Sequence, residues 1–517
     1  MDPKTKDPPP PTVEDIFRYR YQHGTNLGSI YVLEKWLHRS MFEKDAPGSS
    51  ELAAVKQSLR HNGLEATRLK WEKHWKSALK DSDFHWLNNV ARCNSIRLPI
   101  GYYTLGPQFC AGTPFEGEPA QVYLNAWDSV KALIDACYQE GIGVLIDLHA
   151  LPGGANKDSH SGTDSGNAEL WKVGHYLSVA TDCVTHILCE VTAHKMSNVI
   201  GIELCNEPSW DAGPSLWKWY DDVLALASGI DSSLPIYIGD CWNLPVALDY
   251  ASKKNAFDAT TATLLNPVIV DTHKYYTFTA NDHSQSPQQI ITRAKESLAV
   301  ASGKQGNVFG RKTAVSVYVG EYSCTLDIKT WNRVNASERP TLTQEFGQAQ
   351  SDRYQNKACG SAFWTLKMDW MDGGDWGFKK QVNTGAIPPP RGLTLSKDDV
   401  GSKIRRAEIQ RPTLLDATLS QHVAYWKKTV PNKTFEHWRY ESGWNLGFKD
   451  AGVFFCARIN GLVPDGQQSA GGDKIGALEM WIRKRLFDAG QLTSPFGWQW
   501  EQGYRKGVKH FYEAVAI

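Results

Sequence analysis

The chain has 517 residues, 56 Lys and Arg against 56 Asp and Glu, and 41% hydrophobic content. That is ample for a large buried core and more than one ordinary domain needs. A formal net charge of zero gives no electrostatic case for nucleic acid or an anionic membrane surface, and no apolar run approaches the ~20 residues that span a bilayer.

In chain order, residues 1–14 are polar and Pro-rich and read as a disordered tail. They lack the apolar stretch of a signal peptide, so the chain is expected in the cytoplasm. The ten cysteines agree with a reducing compartment. Cys205, Cys324 and Cys456 lie in or beside apolar segments and read as buried thiols. The glycosylation sequons at Asn335 and Asn432 are then unused.

From about residue 20 to 370, short apolar runs alternate with helical patterns. Strands are predicted at HGTNLG (23–28), NSIRLPI (94–100), GVLIDLH (143–149) and NVIGIELCNE (198–207). They continue at PIYIGD (235–240), PVIVDTH (267–273), TAVSVYVGE (313–321) and GSAFWTL (360–366). Several are apolar throughout, as parallel strands buried on both faces should be. Between them run amphipathic segments such as AWDSVKALIDACYQEG (126–141), which Gly141 stops. Eight such units predict a (β/α)₈ barrel over residues 15–390. A doubly wound open sheet is the alternative, weakened by the lack of a Gly-rich phosphate fingerprint after the first strand.

GAIPPPRG (385–392) marks a joint, and residues 391–517 read as a helical extension packed on the barrel. Within it, WRYESGWNLGFK (438–449) and WQWEQGYRKGVK (498–509) repeat one pattern, taken as a duplicated helical hairpin. Gly443 and Gly447, like Gly503 and Gly507, are four apart on one helix face and permit close packing. Most of the 20 Trp belong to the core; the remainder suit flat platforms for sugar rings.

Polar residues gather where the predicted strands end, and in a barrel those ends share one mouth. They are Arg97 on the second strand, Asp147 and His149 on the third, Asn206 and Glu207 on the fourth, His273 and Tyr275 on the sixth, Glu321 on the seventh and Trp364 on the eighth. Glycoside hydrolysis needs such a set: one carboxylic acid protonated toward the leaving oxygen, and one ionised carboxylate to attack or to activate water. Asn206 suits the substrate 2-hydroxyl, Tyr275 and His273 suit hydrogen bonds to the two carboxyl groups, and Arg97 suits the nucleophile. His149, His273, Asp147 and Glu207 are also metal-capable, but no HExxH or CxxC spacing supports a metal, and no G-x-S-x-G elbow supports a serine hydrolase. No cofactor is expected.

These motifs also resemble glycoside hydrolase family 5, and within it the fungal exo-β-1,3-glucanase group. GTNLGSIYVLEKW (24–36) with Glu34, IRLPIGYY (96–103), IDLHALPGGAN (146–156), IGIELCNEP (200–208), DTHKYYTF (271–278), VGEY (319–322) and FWTLK (363–367) are similar to that group's motifs, in the same order. The resemblance implies a retaining, exo-acting β-glycosidase, with Glu207 as acid/base and Glu321 as nucleophile. It implies that Arg97, His149, Asn206, His273 and Tyr275 support them, and that Glu34, Asn156 and Trp364 line a glucose subsite. The substrate it implies is a β-1,3-glucan oligosaccharide or a glucoconjugate. Phe278 matches one member of the group's aromatic pair at the cleft entrance, but the loop after Asn156 reads KDSHSG and has no aromatic for the other. The competing expectation is a non-catalytic carbohydrate-binding or scaffold protein that retains the cleft.

Overall fold

The computed structural model describes residues 8–258, 260, 263–464, 466 and 470–517. Eight parallel strands close into a barrel in sequence order: β1 (Gln22–Asn26), β2 (Ser95–Gly101), β3 (Gly143–Ala150), β4 (Val199–Glu203), β5 (Ile236–Gly239), β6 (Val268–Lys274), β7 (Val317–Tyr322) and β8 (Gly360–Phe363). β1 pairs with β8 to complete the ring. All eight predicted strands are present. The fourth is shorter than expected: it ends at Glu203, so Asn206 and Glu207 stand on the turn beyond it. Glu207 holds a left-handed φ of 42°, a conformation that costs a side chain such as glutamate energy. The helix predicted over 126–141 runs Ala126–Gln139, and Gly141 ends it with φ 67°.

Alternate residues of a strand share a face, so interior positions climb the barrel in steps of two. On β3, Leu145 joins the lower core, Asp147 reaches Arg97 and His149 lines the mouth. On β6, Ile269, Asp271 and His273 climb in the same way. The floor is an apolar cluster in which Leu145, Ile200, Tyr237, Ile269 and Tyr318 meet Phe17, Tyr19 and residues of the C-terminal helices.

Those helices therefore lie at the end of the barrel opposite the mouth. Tyr21 N–H donates to Lys474 O, and Asp473 receives the side chain of Asn94, at the foot of β1 and β2. The two repeat copies form the helices His437–Cys456 and Gly497–Ala514. They pack on each other rather than forming two separate hairpins. A Cβ at Gly443 or Gly447 would collide with the backbone of Trp500 or Tyr504, and one at Gly503 or Gly507 with that of Tyr440 or Trp444. Both chains advance together along this contact, so the pair is parallel, and the four glycines bring the backbones into touch.

The N-terminal tail also differs from expectation. Residues 1–7 lie outside the described residues, but Thr12 caps a helix over Val13–Tyr19, and Pro9 O accepts from Arg485. Phe17 and Tyr19 are buried in the floor, which anchors the segment. All ten cysteines are unpaired, and most are buried. No helix among the described residues is long and apolar enough to cross a membrane.

Two predictions follow from packing. Gly507→Ala should lose about 1–3 kcal/mol, because the new methyl meets backbone that cannot move aside. Gly401→Ala, whose nearest neighbour is the flexible Arg405 side chain at 3.6 Å, should gain roughly 0.5–1 kcal/mol; equal melting temperatures for the two variants would refute the contact. Glu51 is buried and accepts from Leu33 N, Trp71 Nε1 and Tyr123 Oη, tying down the segment that carries Glu34. Burial outweighs these bonds and pushes its carboxyl up to about 7. The folded chain then keeps a proton that the unfolded chain has released, so stability should fall as pH rises from the ordinary glutamate value to about 7. Glu51→Gln should flatten that slope in denaturant titrations run across this range.

Candidate active site

Arg97 stands at the centre of the barrel with no exposed surface. Its Nε and Nη2 donate to both oxygens of Glu203 at 2.7 and 3.0 Å. Nη1 donates to Asn26 Oδ1 at 3.1 Å and to Glu321 Oε1 at 2.9 Å. Nη2 also reaches Asn206 Oδ1 at 2.8 Å and Asp147 Oδ2 at 3.0 Å. One guanidinium thus sets groups from β1, β3, β4, β7 and the turn after β4.

Glu321 is held at both oxygens, by Arg97 on Oε1 and by the Tyr275 hydroxyl on Oε2 at 2.8 Å. The preceding Gly320 donates its N–H to Asp271 Oδ1 at 2.6 Å, and a Cβ there would strike that carboxylate. Only glycine lets β7 and β6 approach so closely. Glu207 is held differently: His273 Nδ1 lies 2.7 Å from Oε1, and His160 Nε2 lies 3.4 Å from Oε2. Oxygens of Glu207 and Glu321 come within 4.8 Å of each other, with His273 beside both.

The charges differ from the simple expectation of a resting protonated acid. Burial pushes Glu207 up, but the hydrogen bond and charge of His273, with His160 and His149 behind it, hold it well below the usual carboxylate range. His273 is raised well above an ordinary histidine: burial opposes its charge, but Glu321, Asp271 and Glu207 outweigh that. Both shifts run the same way, favouring the proton on imidazole over Glu207. Deeper down, burial raises Glu203 well above the usual range despite Arg97, because Asp147 and Asp271 crowd it.

The mouth is a cleft of about 530 Å³ lined by Glu34, Trp36, His149, Asp158, His160, Glu207, Trp242, Tyr275, Phe278, Glu321, Trp364 and Trp376. Trp36 meets both Trp370 and Trp376 along one wall. Phe278 projects at the rim, 65% exposed, against Tyr275. Among the described residues, the buried polar atoms at the cleft that lack a hydrogen-bond partner include Glu34 Oε1, His149 Nε2, His160 Nε2 and Asn206 Nδ2. Such atoms are costly unless a ligand satisfies them, and a ring rich in hydroxyls does so.

The structure brings together Glu34, Arg97, His149, Asn206, Glu207, His273, Tyr275, Phe278, Glu321 and Trp364. Asn156 departs from the sequence expectation. Its Nδ2 donates to Glu207 O at 2.9 Å and its Oδ1 accepts from Asp158 N at 2.9 Å, so both ends of its amide are used in placing backbone rather than facing the cleft. Sequence reasoning missed Glu203, Asp271, His160, Trp242 and Trp376. Glu203 and Asp271 carried a signal, as charged residues inside apolar strands two positions from other interior groups. His160, Trp242 and Trp376 lie on loops, where no periodicity marks them.

Comparison with known proteins agrees with this geometry. The sequence model of the cellulase family (glycosyl hydrolase family 5) matches residues 55–371, and that of the glucan 1,3-beta-glucosidase 3 C-terminal domain matches residues 407–515. The chain is 29% identical over 500 residues to glucan 1,3-beta-glucosidase 3 of Schizosaccharomyces pombe, covering 96% of each chain. It is 30% identical over 508 residues to an uncharacterized glycosyl hydrolase of Saccharomyces cerevisiae, covering 96% of this chain and 92% of that one. Rutinosidase from Aspergillus niger shares the fold, with a TM-score of 0.54 at 17% identity over 72% of this chain and 98% of that one. With the family model spanning more than half of its length and the barrel carrying paired glutamates at its mouth, the chain belongs to glycosyl hydrolase family 5.

Proposed function

We propose that this chain is a retaining, exo-acting β-glucosidase that cleaves a β-1,3-glucan oligosaccharide or a glucoconjugate by double displacement. One observation carries the reading: Glu207 and Glu321 approach within 4.8 Å, each held by its own partners. Retaining enzymes bring their carboxyl groups to roughly 5–5.5 Å, whereas inverting ones leave roughly 6.5–9.5 Å for a water. The cleft has no such gap between the two.

In this mechanism Glu321 attacks the anomeric carbon as Glu207 passes a proton to the departing oxygen. An ester to Glu321 forms while the glycosidic C–O bond breaks. Water then attacks the same carbon, Glu207 takes its proton, and Glu321 leaves. Arg97 and Tyr275 fix both oxygens of Glu321 for attack, which removes much of the orientational cost. Glu34 Oε1, His149 Nε2 and Asn206 Nδ2 take sugar hydroxyls, and Trp364 offers a flat wall. The aromatic wall of Trp36, Trp376 and Phe278 suits a ring or an apolar aglycone beyond the scissile bond.

The two roles separate by azide rescue. Glu207→Ala leaves the nucleophile, so an activated aryl β-glucoside should still glycosylate the enzyme and the intermediate should accumulate. Azide needs no base and should restore turnover, giving a β-glucosyl azide. Glu321→Ala should give an α-azide if any product forms. Product stereochemistry by NMR checks both; the opposite pairing would exchange the assignments. Release of glucose from laminari-oligosaccharides tests the linkage, and cleavage only inside longer chains would sink the exo reading.

A further inference from the structure

The loop from Asn156 to Gly162 lacks the entrance aromatic, but it puts a histidine in the cleft. The loop is stapled to do so. Asn156 Oδ1 accepts from Asp158 N, and the Ser161 hydroxyl donates to Asp158 O at 2.7 Å. Gly162 closes the loop with φ 93°, against Ala150. Asn156 Nδ2 ties the whole loop to the backbone of Glu207. The His160 ring meets His149 edge-on, with centroids 5.6 Å apart, and its buried Nε2 makes no hydrogen bond but lies 3.4 Å from Glu207 Oε2, within ion-pair reach.

The two oxygens of Glu207 are therefore unlike. Oε1 is occupied by His273 at 2.7 Å. An acid that protonates a leaving group presents its proton on the other oxygen, Oε2, and that oxygen faces His160.

We propose that His160 is a second acid/base partner that shares one proton with Glu207 at Oε2, an inference that rests on Glu207 being the acid/base. At rest the imidazolium N–H carries the proton beside the ionised Oε2. When substrate fills the cleft, that N–H bond breaks and the Oε2–H bond forms, leaving neutral imidazole. The Oε2–H bond then breaks as the leaving oxygen takes the proton. In the second step the attacking water returns one proton to Oε2, so the pair regains what it spent and no other donor is needed.

The surroundings favour this. Four carboxylates face His160: Glu207, Glu34, Glu321, and Asp158 on its own loop. Burial works against its charge, but these groups outweigh it and raise His160 above an ordinary histidine. The other imidazoles packed around the same site are His149 from β3, in ring contact with His160, and His273 from β6, bonded to Glu207.

The test is the pH profile of kcat/KM for full-length protein and His160→Asn, on phenyl and dinitrophenyl β-glucosides. Phenol is a poor leaving group and needs the proton; dinitrophenol does not. In His160→Asn the alkaline limb for the phenyl substrate should move to lower pH by on the order of one unit, a loss of about tenfold at neutral pH. The dinitrophenyl substrate should change by less than about threefold, because its first step needs little protonation. Equal losses on both substrates with an unmoved limb would mean that His160 only shapes the loop, and would overturn the proposal. Ring-nitrogen NMR of the histidines provides a check that needs no His160 variant. The His160 signal should titrate above the ordinary histidine range and drop in Glu207→Gln; an unchanged titration would also overturn it. If Glu207→Gln kept full activity on the phenyl substrate, the acid/base assignment itself would fall, and this proposal with it.

Discussion

The buried guanidinium of Arg97 is the constraint on which the rest of the site depends. It donates to Asn26, Glu203, Asn206 and Glu321 and makes an ion pair with Asp147, five side chains from four strands and a turn. Taking a guanidinium out of water costs several kcal/mol, and only well-placed anions and dipoles offset that. The strands must therefore keep a register that brings those acceptors to one point. The same geometry that makes the charge tolerable also fixes Glu321 and Asn206 in place.

Carboxylates around Arg97 outnumber it, and that imbalance is redistributed rather than removed. Glu203 is pushed well above the usual carboxylate range by burial and by its acidic neighbours, against the pull of Arg97. His273, between Glu207, Glu321 and Asp271, is raised well above an ordinary histidine by those anions. Two imidazoles thus flank Glu207, His273 at Oε1 and His160 at Oε2, and both shifts run against a protonated Glu207 at rest. A ligand that displaces water from the cleft strengthens every one of these interactions.

The other end of the barrel has a different task. Phe17, Tyr19, Phe454 and Trp481 meet the inward side chains of the strands there and close the floor. Asp473, held by Asn94 and by Arg20 and Arg458, ties the extension to the feet of β1 and β2. Chemistry and anchoring sit at opposite ends, and none of the described residues of the extension lines the cleft.

Much of this was legible in the sequence, because period-two alternation within apolar strands is a local property. Asp147 and His149, Glu207, His273 and Glu321 stand at the ends of predicted strands in the order that a closed barrel requires, so the barrel and the two candidate glutamates were legible from pattern and spacing, while their separate roles came from the resemblance. The parallel pairing of the repeat helices did not follow: glycines four apart announce a close contact but not its partner. Nor did the roles of Asn156 and His160, because a loop has no period to read. Its side chains take their function from whichever backbone it happens to meet. The protonation states were least legible of all. The place of the proton depends on the distances among one arginine, several carboxylates and three histidines that lie far apart in the chain. Only folding sets those distances.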